Sequence, residues 1–297
     1  MLTDEQPYFS VIMPVYNRAE LVKETIDSVL RQTFRDFELI CINDGSTDNT
    51  LEVLSELEKI DSRIKVISHE NKGRCQARNS GIAHANGRWM AFLDSDDFYL
   101  DNHLETLQNL IKRFPSFSGI ATELVFEDRI RDHNKCRYYR DFVVLSLDDF
   151  ADTNPISLNQ FCYNKASCPD LLFPEINILA AEDLLFFRMF SNRYKILKSG
   201  IITNFVNTHE NRSVNLISPE LFVYWNVFAT NYFIDNFHVP EKIEKSMRQY
   251  VQLVISNVYL SAKKTKEGSR ELLKVLKYPS TYRKVLFYKA LIKLFIN

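Results

Sequence analysis

Glycine is scarce in this chain, at seven of 297 residues, roughly a third of the ordinary share of ~7%. That scarcity excludes collagen-like, linker-rich and low-complexity architectures, and it means each glycine marks a place where the backbone needs one. Cysteine is sparse too. Cys41, Cys75, Cys136, Cys162 and Cys168 are odd in number, widely spaced and without a CxxC pair, which excludes a disulfide framework or a zinc site. The apolar run around Cys41 predicts a buried thiol. Charge of one sign is not in excess: 37 Lys and Arg against 38 Asp and Glu give a net −1, so no nucleic-acid partner is expected. The uncharged run 221–234 has 14 residues, short of the ~20 that span a bilayer. The opening MLTDEQPYFS carries acids where a signal peptide carries bases and is followed by no apolar core, so a cytoplasmic location is expected. GxGxxG and GxxxxGK[ST] are both absent, which removes the phosphate loops of dinucleotide-binding and P-loop proteins. No internal repeat is visible.

What is present is ordinary for a soluble globular protein: 45% hydrophobic and 25% charged residues, with a length that allows two domains. The first hundred residues alternate strand and helix signals. Strands are predicted at Phe9–Val15, Phe37–Ile42, Ile64–Ser68 and Trp89–Leu93, with helices over 19–32, around Leu51, Leu54 and Leu57, over 74–85 and over 102–113. Ser46 or Thr47 is the expected cap of the second helix, and Asn86-Gly87 the expected stop of the third. This alternation implies an α/β fold with a mostly parallel sheet flanked by helices. Further strands are expected at 120–126 and 142–147, a loop-rich stretch at 157–173, a helix at 180–190, and helices across 219–262. The domain boundary is placed at 217/218, separating an α/β domain (1–217) from a helical C-terminal region (218–297).

The C-terminal 37 residues hold ten Lys and Arg and two acids, a net +8 that leaves 1–260 at −9. Lys263, Lys266, Arg270, Lys274 and Lys277 share one face if 263–277 is a single helix, although Gly268 could break it. Two readings stand: a packed helix with solvated lysines, or a surface that meets an anionic membrane.

Polar groups fall after every one of the first four strands: Tyr16-Asn17, Asn43-Asp44, His69–Lys72 and Asp94–Asp97. Ligands of such sheets bind beyond the carboxyl ends of the strands, so these groups converge on one crevice. Asp94 and Asp96, at i and i+2 of an extended strand end, project to the same side. Two carboxylates there would repel unless a hard divalent cation lay between them, with a diphosphate as its natural co-ligand. A solvated acidic turn is the other reading of the same spacing.

The motifs Pro14-Val15-Tyr16-Asn17, Asn43 to Asp48, Asn71 to Gly81 and Phe92 to Asp97, in this order, closely resemble those of the family 2 glycosyltransferases. The resemblance implies a GT-A fold, a nucleotide-sugar donor and a cytoplasmic-face enzyme of glycan synthesis. It implies that Pro14, Tyr16, Asn17, Asp44, Gly73, Arg78, Asp94 and Ser95 bind the donor. Tyr16 would lie against the base, Asp44 would accept from a base N–H as uracil offers, and Arg78 would meet the nucleotide or its diphosphate. Asp96 would be the main ligand of Mn²⁺ or Mg²⁺, with Asp94 and His209 assisting. Further along, Glu182-Asp183 resembles the family's acid pair, which makes Asp183 the expected base beside Glu182. The resemblance is dense over 8–110 and loose over 111–215. The Q-x-x-R-W signature of processive synthases is absent, so transfer of one sugar per encounter is expected, to a glycan or lipid-linked acceptor. The rivals are a nucleotide-sugar binding module without catalysis and a sugar-phosphate nucleotidyltransferase. The latter would need a glycine-rich loop where this chain has PVYNRAE.

Overall fold

The computed structural model describes residues 6–126, 141–208, 217–276, 278 and 285–296. The chain divides into two compact units, one of 1–145, 156–178 and 194–210, the other of 146–155, 179–193 and 211–297.

The first unit is built on one sheet. Its strands are β1 (Phe9–Val15), β2 (Phe37–Asp44), β3 (Ile64–His69), β4 (Trp89–Phe92), β5 (Phe98–Tyr99), β6 (Gly119–Phe126), β7 (Phe142–Leu145), β8 (Phe161–Asn164) and β9 (Ile196–Val206). The spatial order is β3-β2-β1-β4-β8-β6-β9-β5, with β7 also paired to β9. The first four strands run parallel. β8 then pairs antiparallel to both β4 and β6, and β6 and β9 are again parallel. β1 and β2 are apolar almost throughout because both faces are covered, as central parallel strands require; Val11, Ile12, Leu39 and Ile40 are fully buried. The helices between these strands are α1 (Val22–Leu30), α2 (Thr50–Ile60), α3 (Arg74–His84) and α4 (His103–Arg113). The α/β class, the four leading strands and the order of helices agree with the sequence reading. The loop-rich stretch contains the short 3₁₀ turn Leu158–Gln160 and β8, short elements inside a segment whose prolines mask them.

Three local expectations change. α2 starts at Asn49 with no side-chain cap on that residue; Asp48, rather than Ser46 or Thr47, accepts from the Thr50 N–H at 3.0 Å. Gly87 does not stop α3, which ends with Ala85 in extended backbone. Its N–H donates to Ser10 Oγ and Glu38 Oε1, and a Cβ there would lie 2.5 Å from the Ser10 nitrogen. Close approach to β1 is therefore its reason. Glu38 is the hub of this corner. Burial alone would raise its pKa, but hydrogen bonds from Lys65, Ser10 and Asn86 outweigh burial and hold the carboxyl below its ordinary value.

The second unit is helical: α5 (Asp149–Asp152), α6 (Glu182–Ser191), α7 (Pro219–Asn236), α8 (Glu241–Ser261), α9 (Thr265–Leu276) and α10 (Val285–Ile296). Its organiser is Arg188, wholly buried. Nε donates to the Phe150 carbonyl at 3.0 Å and Nη1 to Thr230 Oγ1 at 2.9 Å, while the guanidinium lies 6.0 Å from the centre of the Tyr250 ring. Burial lowers its pKa to about 10. One side chain thus joins α5, α6, α7 and α8. Leu253, Leu260, Leu272, Val275, Phe287 and Ala290 form a separate apolar cluster. Gly268 does not break α9; a Cβ there would meet Leu260 Cγ at 2.6 Å, so the helix needs it for close packing on α8. Lys263 precedes the helix, at φ +58. Lys266, Arg270 and Lys274 lie inside it, and Lys277 is outside the described residues. No described helix is long and apolar enough to cross a membrane.

His103, at the start of α4, is fully buried with Nδ1 2.7 Å from Thr203 Oγ1, and burial lowers its pKa to about 3. The folded chain keeps it neutral, while the unfolded chain protonates it below about pH 6.5. Its contribution to stability is complete above pH 6.5 and is lost as pH falls from there toward 3. The glutamine variant His103→Gln, which cannot charge, is expected to show a shallower acid slope in urea melts between pH 6.5 and 4. The difference should reach about 1.4 kcal/mol per pH unit.

Candidate active site

The carboxyl ends of β1, β2 and β4 carry the site. Pro14 is in β1 in register with Ile42; beyond the strand, Tyr16 is 45% exposed, an open aromatic face. Asn17 takes a left-handed conformation (φ +51), which turns its side chain toward the β2 loop. Its Oδ1 accepts from Thr47 N at 2.8 Å, and its N–H donates to Ser46 Oγ at 3.0 Å. The GST turn is thereby tied to the end of β1.

Asp44 ends β2 and is buried. Oδ1 accepts from the Lys72 N–H at 2.8 Å and Oδ2 from the Gly73 N–H at 3.0 Å. His69 Nδ1 also lies 3.4 Å from Oδ1, while Oδ2 keeps a further lone pair for a ligand N–H. Gly73 takes φ +84 and opens α3, the helix that presents Arg78. Gly81, one turn further, faces β1 where a Cβ would come 2.4 Å from Ile12 Cγ2. Arg78 is fixed: its guanidinium is 4% exposed, lies 5.4 Å from the centre of the Phe173 ring, and donates to Asp94 Oδ1 at 2.9 Å. Asn79 beside it exchanges two 2.8 Å hydrogen bonds with the Phe173 backbone, so the ARN motif both delivers the arginine and clamps the loop under it.

The turn after β4 is held from several directions. The Asp94 N–H donates to Asn159 Oδ1 at 2.9 Å. Ser95 is buried, and its carbonyl accepts from Thr25 Oγ1 at 3.1 Å. Asp97, 1% exposed, accepts from Asn159 Nδ2 at 2.6 Å and from the Asn207 N–H at 2.9 Å. Asp96 Oδ2 is 3.3 Å from Arg18 Nη2. Asp94 and Asp96 thus each have an arginine of another element against them. Arg18 and Asn159 were not singled out by sequence reasoning. Arg18 directly follows the PVYN motif, a signal that was available; Asn159 has no motif around it.

A hard cation still suits this place. Two carboxylates with the remaining positions filled by donor phosphates is the ordinary arrangement for Mg²⁺ and Mn²⁺. Among the described residues no group of three or more His, Cys, Asp or Glu stands ready for a metal. His209, the third expected ligand, lies outside the described residues.

Glu182 and Asp183 belong to the second unit and open α6. The residue before them, Ala181, is left-handed (φ +67), a sharp entry that starts the helix on its two acids. Glu182 is buried. Asp183 accepts from the Leu184 N–H at 2.7 Å through Oδ1 and from Asn154 Nδ2 at 2.8 Å through Oδ2.

The profile of the glycosyl transferase family 2 matches residues 10–160, just over half the chain, and the chain belongs to this family. It is 40% identical over 129 residues to the putative teichuronic acid biosynthesis glycosyltransferase TuaG of Bacillus subtilis (strain 168), 43% of this chain and 51% of that protein. It is 46% identical over 123 residues to the UDP-Glc:alpha-D-GlcNAc-diphosphoundecaprenol beta-1,3-glucosyltransferase WfgD of Escherichia coli, 41% of this chain and 48% of that one. The chain thus spans about half the length of these two curated relatives. In fold it is similar to S. aureus TarS 1–349 in complex with UDP-GlcNAc, with TM-score 0.63, 22% identity, and 95% of this chain and 79% of that one covered. It is also similar to the mannosyltransferase PcManGT from Pyrobaculum calidifontis in complex with GDP-Man and Mn²⁺, with TM-score 0.61, 17% identity, and 98% and 88% covered. The fold is GT-A.

A Cβ at Gly73 would lie 2.0 Å from Asn177 Oδ1, in a conformation that L-residues rarely adopt. Gly73→Ala is expected to destabilise the protein by about 1–3 kcal/mol, read as a lower urea midpoint at unchanged m. Adding Asn177→Ala relieves the clash but not the backbone strain, so it should restore only part of the loss.

Proposed function

We propose that the chain is an inverting, non-processive glycosyltransferase. It moves a sugar from a nucleotide sugar, a UDP-sugar by preference, to a glycan or lipid-linked acceptor in surface polysaccharide synthesis. The observation that carries this reading is the gathering of an open aromatic face, a buried carboxylate, a fixed arginine and a paired-acid turn at the ends of three adjacent parallel strands, inside the family-matched residues. The relatives' names support the pathway and acceptor class: teichuronic acid for TuaG, a diphosphoundecaprenol-linked sugar for WfgD. The UDP-GlcNAc complex of TarS supports a UDP donor.

In this reading Tyr16 stacks on the base and Asp44 accepts a base N–H with the remaining lone pair of Oδ2. Pro14, Asn17 and Gly73 shape the loops around the nucleoside, and Arg78 holds Asp94 toward the ribose and diphosphate. Ser95 spaces the two acids. Asp96 and Asp94, with His209, would hold Mn²⁺ or Mg²⁺, as the Mn²⁺ in the PcManGT complex supports. When bound, such an ion stabilises charge on the departing diphosphate. Asp183 takes the proton of the acceptor hydroxyl as that oxygen attacks the anomeric carbon. The bond to the diphosphate breaks with its electron pair, and the configuration inverts. Glu182 supports the start of the helix that carries Asp183.

In the second unit Leu273, Tyr288 and Ile292 remain exposed near lysines, which suits an anionic membrane surface, where a lipid-linked acceptor would be met.

Nucleotide release from a panel of UDP- and GDP-sugars with Mn²⁺ and an acceptor extract tests the reading. Asp96→Ala and Asp183→Asn are each expected to lower kcat at least a hundredfold. Turnover equal to wild type in both would overturn the site, and donor binding without turnover in wild type would favour the binding module. For the membrane contact, the whole protein is expected to float with anionic liposomes at low salt and to be released at high salt.

A further inference from the structure

The two arginines that balance the acidic turn are not alike. Arg78 is 4% exposed and its bond to Asp94 is 2.9 Å, the length of a tight charge-assisted hydrogen bond. The Arg18 guanidinium is 19% exposed, and its contact with Asp96 is 3.3 Å, well beyond that length. The Arg18 backbone is anchored: its N–H donates to Thr50 Oγ1 at 2.8 Å, and its carbonyl accepts from the Leu21 and Val22 N–H groups at the start of α1. The head is held less firmly. Nη1 reaches the Asn17 carbonyl at 3.2 Å, and Nε is buried with no hydrogen-bond partner. A buried guanidinium N–H without an acceptor is costly and invites one. The group therefore combines a fixed base, a long ion pair and an unused donor beside Asp96, a carboxylate that the proposed function gives to a cation.

We propose that Arg18 is an exchangeable counter-ion. It holds Asp96 while the donor is absent. When a divalent cation takes Asp96, Arg18 turns its freed donors, Nε–H included, to the diphosphate of the donor. A guanidinium and a dication cannot both lie against one carboxylate without repelling each other. Cation alone must displace Arg18 without compensation. Cation with a nucleoside diphosphate gives the arginine a new anion. The cation and donor consequently bind with positive coupling, and Arg18 is the source of that coupling. This rests on the reading of Asp96 as the cation's ligand.

The test is Mn²⁺ binding to the full-length protein, followed by electron paramagnetic resonance, first without nucleotide and then with UDP or, if UDP does not bind, GDP. Arg18→Ala is expected to bind Mn²⁺ alone about tenfold more tightly than wild type, because the guanidinium no longer competes with the cation for Asp96. In the presence of Mn²⁺ it should bind the nucleoside diphosphate about tenfold more weakly. Arg18→Lys should fall between the two, keeping the charge but not the fork. An alanine variant that binds Mn²⁺ alone no better than wild type would overturn the proposal, since a merely structural role predicts unchanged or weaker binding. Asp96→Asn separates the two levels. If it binds Mn²⁺ as wild type does, the cation reading itself fails. If it loses Mn²⁺ while Arg18→Ala leaves affinity unchanged, only the role of Arg18 fails. Melting temperatures of all variants within a few degrees of wild type establish that folded proteins are being compared.

Discussion

Three carboxylates in four residues is a costly arrangement at the end of a buried strand. Removing a carboxylate from water costs several kcal/mol unless partners replace the solvent. The turn Asp94–Asp97 meets that demand by recruiting a different element for every group. Arg78 comes from α3, Arg18 from the β1 loop, Asn159 from the 3₁₀ turn, Asn207 from beyond β9, and Thr25 from α1. The converse matters as much. These elements all meet at the turn, which therefore ties the crevice together as well as lining it.

The leading half of the sheet was legible because its strands are short apolar runs bounded by turn residues, and its helices carry clear apolar stripes. The motif residues were legible for another reason: they follow strands directly, and strand ends of parallel sheets point one way. What stayed hidden depends on contacts distant in sequence. Nothing around Asn159 announces that it will bond both Asp94 and Asp97. Gly87 was read as a helix stop because Asn-Gly so often is one; its actual neighbour, Ser10, is 77 residues away. Gly268 was read as a possible break because a lone glycine weakens a helix, yet packing on Leu260 overrides propensity. The arginines that reach the paired acids of the turn are hidden in the same way, since both come from other elements.

The acid pair on α6 is held on different principles. Asp183 accepts from an amide, Asn154 Nδ2, and from a backbone N–H, that of Leu184. Arginine contacts mark Asp94 and Asp96, and bonds from an amide and a backbone N–H mark Asp183. Arg188, deeper in the same helix, spends its donors on Phe150 and Thr230 and so stabilises the helix without entering that site.

The bonds that close the acidic turn also set a timetable for synthesis. Asp97 waits for Asn159, 62 residues later, and for Asn207, 110 residues later. At ~5–20 residues per second, the turn remains incomplete for roughly 5–20 s after its own residues emerge. The four parallel strands can assemble in that interval, but the crevice at their ends cannot take its final form. A chain truncated before Asn207 would hold most of the family's motifs with the Asp97 carboxylate short of one of its partners.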